Sequence, residues 1–179
     1  RKTKYFPKFN WPRVAPPTVK FPLSGENLKA VEADEIRAVE EIRKALQTDG
    51  DEIAAILIET IQGEGGDNHF RPQFHQALRK LADEYSTMLL YDEVQSGVGA
   101  TGKMWAYQHM GMSPDVVCFG KKMQVCGIMV SARVDEIQDN VFQEPSRINS
   151  TWGGNLTDMV RAARYLEIIA EDKLIENAA

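Results

Sequence analysis

Short apolar runs recur along this chain, each ending in polar residues and most separated by helix-like stretches. This alternation constrains the fold more than any other feature. The runs are IAAILIET (53–60), TMLLYDEV (87–94), DVVCFG (115–120) and CGIMVSA (126–132). Between the first two lies RPQFHQALRKLADEYS, with Phe74, Leu78 and Leu81 at helical spacing and Pro72 near the first turn, as a helix start favours. A helix over Glu35 to Gln47, with Ile36, Val39, Ile42 and Leu46 on one face, precedes the first run. WAYQHMGM predicts a short helix, and DMVRAARYLEIIAEDKLIEN predicts one closing helix. Strands alternating with helices imply an α/β layer with a mainly parallel sheet and helices on both faces. IAAILIET in particular suits a strand covered on both sides. In such sheets ligands bind beyond the carboxyl ends of the strands. The first three ends carry Glu59 to Glu64, Asp92 to Gln95, and Lys121 with Lys122.

The stretch before this pattern is of another kind. Pro7, Pro12, Pro16, Pro17 and Pro22 remove backbone donors and fix φ, so neither a helix nor a central strand fits there. Residues 1–28 are expected to form an irregular arm, and 29–179 part of one large domain. The arm holds Arg1, Lys2, Lys4, Lys8, Arg13 and Lys20 among Tyr5, Phe6, Phe9 and Trp11. Basic charge beside stacking rings can serve nucleic acid, but no nucleic-acid motif accompanies it and the net charge is −5. A packing arm for another part of the protein or a second subunit is the expectation. The longest apolar run, Ile53 to Ile58, is too short to span a bilayer, and no signal segment opens the chain. With no initiator Met and an end inside a helical pattern, the chain reads as a central fragment. Cys118 and Cys126 lack metal-ligand spacing and read as buried free thiols in a reducing, cytoplasmic setting. His69, His75 and His109 are irregularly spaced, so no metal is expected.

One motif misleads. GVGATGKM (97–104) nearly matches a phosphate-binding loop, and MLLYDEV resembles the acidic strand of a nucleotide hydrolase. Met104 stands where a magnesium-binding hydroxyl belongs. A single strand would also have to serve both motifs, whereas the two belong to different strands. A P-loop-like hydrolase and a non-catalytic interaction module are the alternatives from other classes.

Lys121 and Asp92 carry the chemistry. An adjacent lysine pair past a strand, taken alone, reads as solvated charge. Asp92 ends an apolar strand, where an unpaired buried carboxylate costs several kcal/mol, so it calls for a cation, a donor or a local cap. Together the two suit pyridoxal phosphate. A lysine amine forms a Schiff base with the aldehyde, and a carboxylate keeps the pyridine nitrogen protonated. The freed amine then moves a proton.

IQGEGG, DEVQSGVGATG, PDVVCFGKK and STWGGN, in this order from about Ile53 onward, resemble the class III pyridoxal-phosphate aminotransferases. GDNHFRPQF, FGKKMQVCGIM and NVFQEPSRINSTWGGNLTDMVRA are most similar to the lysine ε-aminotransferase branch. Most relatives follow the lysine with a Gly-rich stretch, where this chain has KMQVCGIMVS. The resemblance implies the large domain of a fold-type I pyridoxal-phosphate transferase and a homodimer. It implies transfer of the ε-amino group of L-lysine to 2-oxoglutarate, giving 2-aminoadipate 6-semialdehyde and glutamate. Ornithine, acetylornithine or GABA is the alternative donor within the family. Lys121, not Lys122, would bind pyridoxal 5'-phosphate. Asp92 would face its ring nitrogen, Val94 its ring face, and Gln95 its hydroxyl and the substrate. Thr151, with Ser150 beside it, would reach the phosphate held by the other subunit. Glu64 would neutralise an active-site arginine for one substrate and swing away for the other. That arginine, the main phosphate turn and the ring-stacking aromatic lie outside this segment, so the fragment alone is expected to be inactive.

Overall fold

Four short strands form one sheet in the order β1-β2-β3-β4. The computed structural model describes residues 5–148 and 150–179; Arg1, Lys2 and Lys4 of the basic arm lie outside the described residues. The strands are β1 Ala55–Glu59, β2 Met88–Asp92, β3 Val116–Phe119 and β4 Gly127–Val130. β1, β2 and β3 run parallel, and β4 returns antiparallel to β3. The register aligns Glu59 with Asp92, Asp92 with Cys118, and Cys118 with Ile128. The polar strand ends predicted from sequence therefore share one edge.

Helices α1 Gly25–Asp49 and α2 Pro72–Glu84 cover one sheet face. Leu89 and Tyr91, both 0% exposed, pack there against Ala38, Phe70, Phe74, Leu78 and Ala82. Alternation sends Leu57 to the opposite face, where it is 64% exposed and no described helix lies over it. A strand apolar on both sides matches one covered on both sides, and this chain supplies one of the two covers. Phe74, Leu78 and Leu81 point inward as α2 was expected to place them.

α1 begins ten residues before the predicted start, and its buried stripe is Val31, Glu35, Ala38 and Leu46. Ile36, expected inward, is 66% exposed. Glu35 takes the inward position because Arg71, at the start of α2, donates to both its oxygens at 2.9 and 2.5 Å, which satisfies a buried carboxylate.

The closing segment is two helices, α3 Leu156–Glu171 and α4 Leu174–Ala178, and not one. Lys173 breaks it with a left-handed backbone, φ 51°. The break turns Ile175 onto the loop after β2: a Cβ added at Gly99 would lie 3.1 Å from Ile175 Cγ1. WAYQHMGM contributes a 3-10 turn, Ala106–His109. Among the described residues no helix is long and apolar enough to cross a membrane.

Candidate active site

The site grows from the two residues where β2 stops. Asp92 is half-buried, and its Oδ1 accepts from the amide of Val94 at 2.9 Å, a local turn that bends the chain off the strand. Its other oxygen takes no hydrogen bond among the described residues. The sequence pattern suggested a buried Asp92; the carboxylate that is buried is Glu93, 1% exposed. Glu93 Oε1 accepts from Thr60 Oγ1 at 2.8 Å and from the Tyr107 amide at 2.7 Å. Its Oε2 accepts from Ser96 Oγ at 3.0 Å and from the Ala106 amide at 2.9 Å. Four donors offset the desolvation of one buried charge, and they tie the ends of β1 and β2 to the 3-10 turn. Sequence reasoning missed this residue. The available signal was the pairing of two carboxylates at a strand end, only one of which can follow the solvent-facing bend.

The amides of the glycine-rich loop are already engaged. Gly97 donates to Glu93 O at 2.8 Å, Gly99 to Met104 O at 3.1 Å, and Gly102 to Gly99 O at 3.1 Å. A phosphate cradle needs such groups pointing at the ligand, so the nucleotide-loop resemblance does not become a site.

Lys121 emerges just past β3, in a 3-10 turn Lys121–Met123, with its side chain exposed. Its φ of 41° lies in the left-handed region, unusual for a residue with a Cβ. Lys121 Nζ donates to the side-chain oxygen of Gln95, and Lys122 Nζ donates to the main-chain oxygen of Gln95 at 2.7 Å. The loop after β1 closes on the same residue. It is pinned by reciprocal bonds between Gln62 and Asn68 at 3.0 and 2.8 Å, and a Cβ at Gly63 would fall 2.8 Å from Gln95 Cγ. Only a glycine allows that approach. Glu64 follows, exposed at the tip of this loop.

Gly120 makes the second close approach. A Cβ there would meet Cys126 Sγ at 3.0 Å and the Val94 methyls at 3.7 Å, so Val94 lies beside the turn that carries Lys121. Cys118 and Cys126 are free, but Cys126 is exposed where a buried thiol was expected. Burial, then the charge of Asp92, push the Cys118 thiol above its ordinary value.

Lys121, Gln95, Val94 and the Glu64 loop thus meet at the strand ends. Ser150 and Thr151 do not join them by any described hydrogen bond. Both are exposed, in a turn where Ser150 Oγ accepts from the Gly153 amide at 3.1 Å.

The arrangement fits an aldehyde cofactor. An exposed primary amine stands at the end of one strand, and a half-buried carboxylate with one unengaged oxygen ends its neighbour. Such a pair can hold a carbonyl carbon covalently and a protonated ring nitrogen ionically. Among the described residues no three His, Cys, Asp or Glu side chains gather as for a metal.

L-lysine-epsilon aminotransferase of Mycobacterium tuberculosis is 53% identical over 176 residues, covering 98% of this chain and 38% of that protein. The protein of the same name from Streptomyces clavuligerus is 50% identical over 175 residues, with 98% and 38% covered. The solved structure of lysine aminotransferase from M. tuberculosis in the internal aldimine form superimposes with a TM-score of 0.89 at 54% identity, over 97% of this chain and 39% of that one. The chain thus spans 38–39% of the length of these relatives. The model of the family "Aminotransferase class-III" matches residues 2–179, and the chain belongs to that family.

Proposed function

We propose that the full-length protein is a lysine ε-aminotransferase dependent on pyridoxal 5'-phosphate. It moves the ε-amino group of L-lysine to 2-oxoglutarate and yields 2-aminoadipate 6-semialdehyde and glutamate. The observation that carries this reading is the meeting of Lys121 with Gln95, at strand ends where Asp92 and Cys118 are in register. Identity of 53% to a lysine aminotransferase supports the choice of donor.

When bound, pyridoxal 5'-phosphate supplies an electron-withdrawing ring next to the reacting amine. Asp92 holds the proton on the ring nitrogen through a charge-assisted bond. Val94 packs against the ring face and excludes water from it. Lys121 Nζ would hold the cofactor, and its amine would move the proton at the substrate carbon. Gln95 would lie near the ring hydroxyl and the substrate. Glu64 would neutralise an active-site arginine when lysine binds and swing away for 2-oxoglutarate. The protein works as a homodimer in the cytoplasm, and Thr151, with Ser150, binds the cofactor phosphate of the other subunit.

The full-length protein should absorb visible light through its lysine-bound cofactor, and Lys121→Ala should remove that absorbance. Activity in that variant should fall by about 10³-fold or more, as expected when a covalent and proton-transferring group is deleted. A colourless wild type would sink the cofactor assignment. A donor panel decides the substrate: L-lysine should exceed ornithine and GABA in kcat/KM, and the reverse order would replace the lysine reading.

A further inference from the structure

Lys122 has no part in the covalent chemistry, yet its ammonium occupies a specific place. Two adjacent lysines converge on one residue from different directions. Lys121 Nζ meets the Gln95 side chain, whereas Lys122 Nζ donates to the Gln95 carbonyl oxygen at 2.7 Å. Backbone pairing between β2 and β3 stops short of this point. Its last bond is from the Glu93 amide to Cys118 O at 2.9 Å. Gln95 lies two residues further on, outside the ladder. The Lys122 bond therefore ties the main chain of the bend after β2 to the turn after β3, beside the side-chain contact made by Lys121.

The surroundings make that bond selective. Lys122 lines a cleft with Val98, Ala100, Tyr165, Ile169 and Ile175, and it is the one charged side chain among the residues lining it. Lys122 is exposed overall, but partial desolvation beside these apolar walls lowers its pKa, the charge of Lys121 lowers it further, and Glu93 opposes both. An ammonium so placed gains from its carbonyl acceptor, because hydrogen bonds to charged groups are the stronger ones.

We propose that Lys122 is a positioning residue, which holds the Gln95 backbone so that the Gln95 side chain stays against Lys121. This rests on the reading of Lys121 as the cofactor lysine.

The test uses full-length holoprotein with Lys122→Met, Lys122→Gln and Lys122→Arg, and with Lys121→Ala as reference. Lys122→Met should keep its visible absorbance. kcat should fall about tenfold with KM changed less than about threefold, the mark of a group that orients the reacting atoms and not of one that only binds substrate. Lys122→Arg, which keeps charge and donors, should recover kcat to within about threefold of wild type. Lys122→Gln keeps a donor without the charge. It should lose kcat as Lys122→Met does, and it carries the same comparison with Lys122→Arg should Lys122→Met fail to fold. A wild-type kcat in both uncharged variants, or a loss confined to KM, would overturn the proposal. If Lys121→Ala retained the visible absorbance, the underlying assignment of Lys121 would be at fault instead.

Discussion

The bend after β2 and the turn Ser150–Gly154 both carry candidate cofactor residues, but the fold treats them differently. The bend is held from several sides. Glu93 accepts from donors on two other segments, its amide bonds to β3, and Lys122 bonds the Gln95 carbonyl. In the turn, the described hydrogen bonds join neighbours: Gly153 to Ser150 at 3.1 Å and Asn155 to Trp152 at 3.3 Å. Trp152 is 78% exposed. One region is placed by its own chain, while the other has a shape but, among the described residues, no hydrogen bond to the strand ends. Residues of the first kind can be preorganised within a subunit. Residues of the second kind suit a site completed from outside.

The largest effect should come from removing the hub of the bend. Glu93→Ala leaves two hydroxyls and two amides facing a small cavity. Unsatisfied buried groups cost about 1–3 kcal/mol each, partly offset because the buried charge is also gone, so the net loss should be on the order of 4 kcal/mol. A lower urea midpoint at an unchanged slope checks this. Glu93→Gln should fall between, since its NH₂ must face one amide donor, either that of Tyr107 or that of Ala106. If Glu93→Ala were as stable as wild type, the bend would not be the pinned region described above.

Acid tests the same region from beneath. His75 is fully buried, with Nδ1 at 2.7 Å from the Tyr91 hydroxyl, one residue before Asp92. Burial lowers its pKa from 6.5 to about 4. The unfolded chain therefore binds a proton in that window which the folded chain refuses. Stability from this residue is complete above pH 6.5, declines as pH falls towards 4, and levels off below. The total loss is about 3 kcal/mol, at roughly 1.4 kcal/mol for each unit. Urea midpoints measured from pH 7 to 4 should show this slope, and His75→Phe should flatten it. An equal slope in the variant would assign the acid sensitivity to other groups.

The elements at the strand ends were legible because their signals are local. Apolar runs, Pro72 at a helix start and the polar run-outs each need only a few neighbouring residues to be read. Lys121 and Gln95 were reachable because the parallel topology brings successive strand ends together. Glu93 and Glu35 were not, since the groups that satisfy them come from far along the chain: Thr60 is 33 residues from Glu93, and Arg71 is 36 from Glu35. Without those partners a charged residue reads as solvent-facing, which shifted the predicted stripe of α1 onto the exposed Ile36. The break between α3 and α4 was hidden for a related reason. Lys173 takes a left-handed backbone that glycine or asparagine would have signalled. What holds it there is tertiary packing of α4 on the loop after β2, which no local window contains.

The smallest effect on stability should come from Thr151, and that makes it the sharpest test of the contrast. Its side chain is exposed and bonds to no described residue of its own chain, so Thr151→Ala should change stability by less than about 0.5 kcal/mol. Cofactor affinity in the full-length protein should nevertheless fall about tenfold, the size of one lost hydrogen bond to a charged phosphate. Titration of apoprotein with pyridoxal 5'-phosphate, followed by absorbance, measures this. Mixed dimers then locate the effect. A subunit carrying Thr151→Ala beside one carrying Lys121→Ala should leave one site with both residues intact if Thr151 serves the other subunit's cofactor. In that arrangement the Lys121 subunit with wild-type lysine receives wild-type Thr151 from its neighbour, and cofactor binds at wild-type affinity. If Thr151 instead acts within its own subunit, the only lysine-competent site carries the alanine, and affinity stays tenfold weak. The second result would show that the exposed turn belongs to its own chain's site after all.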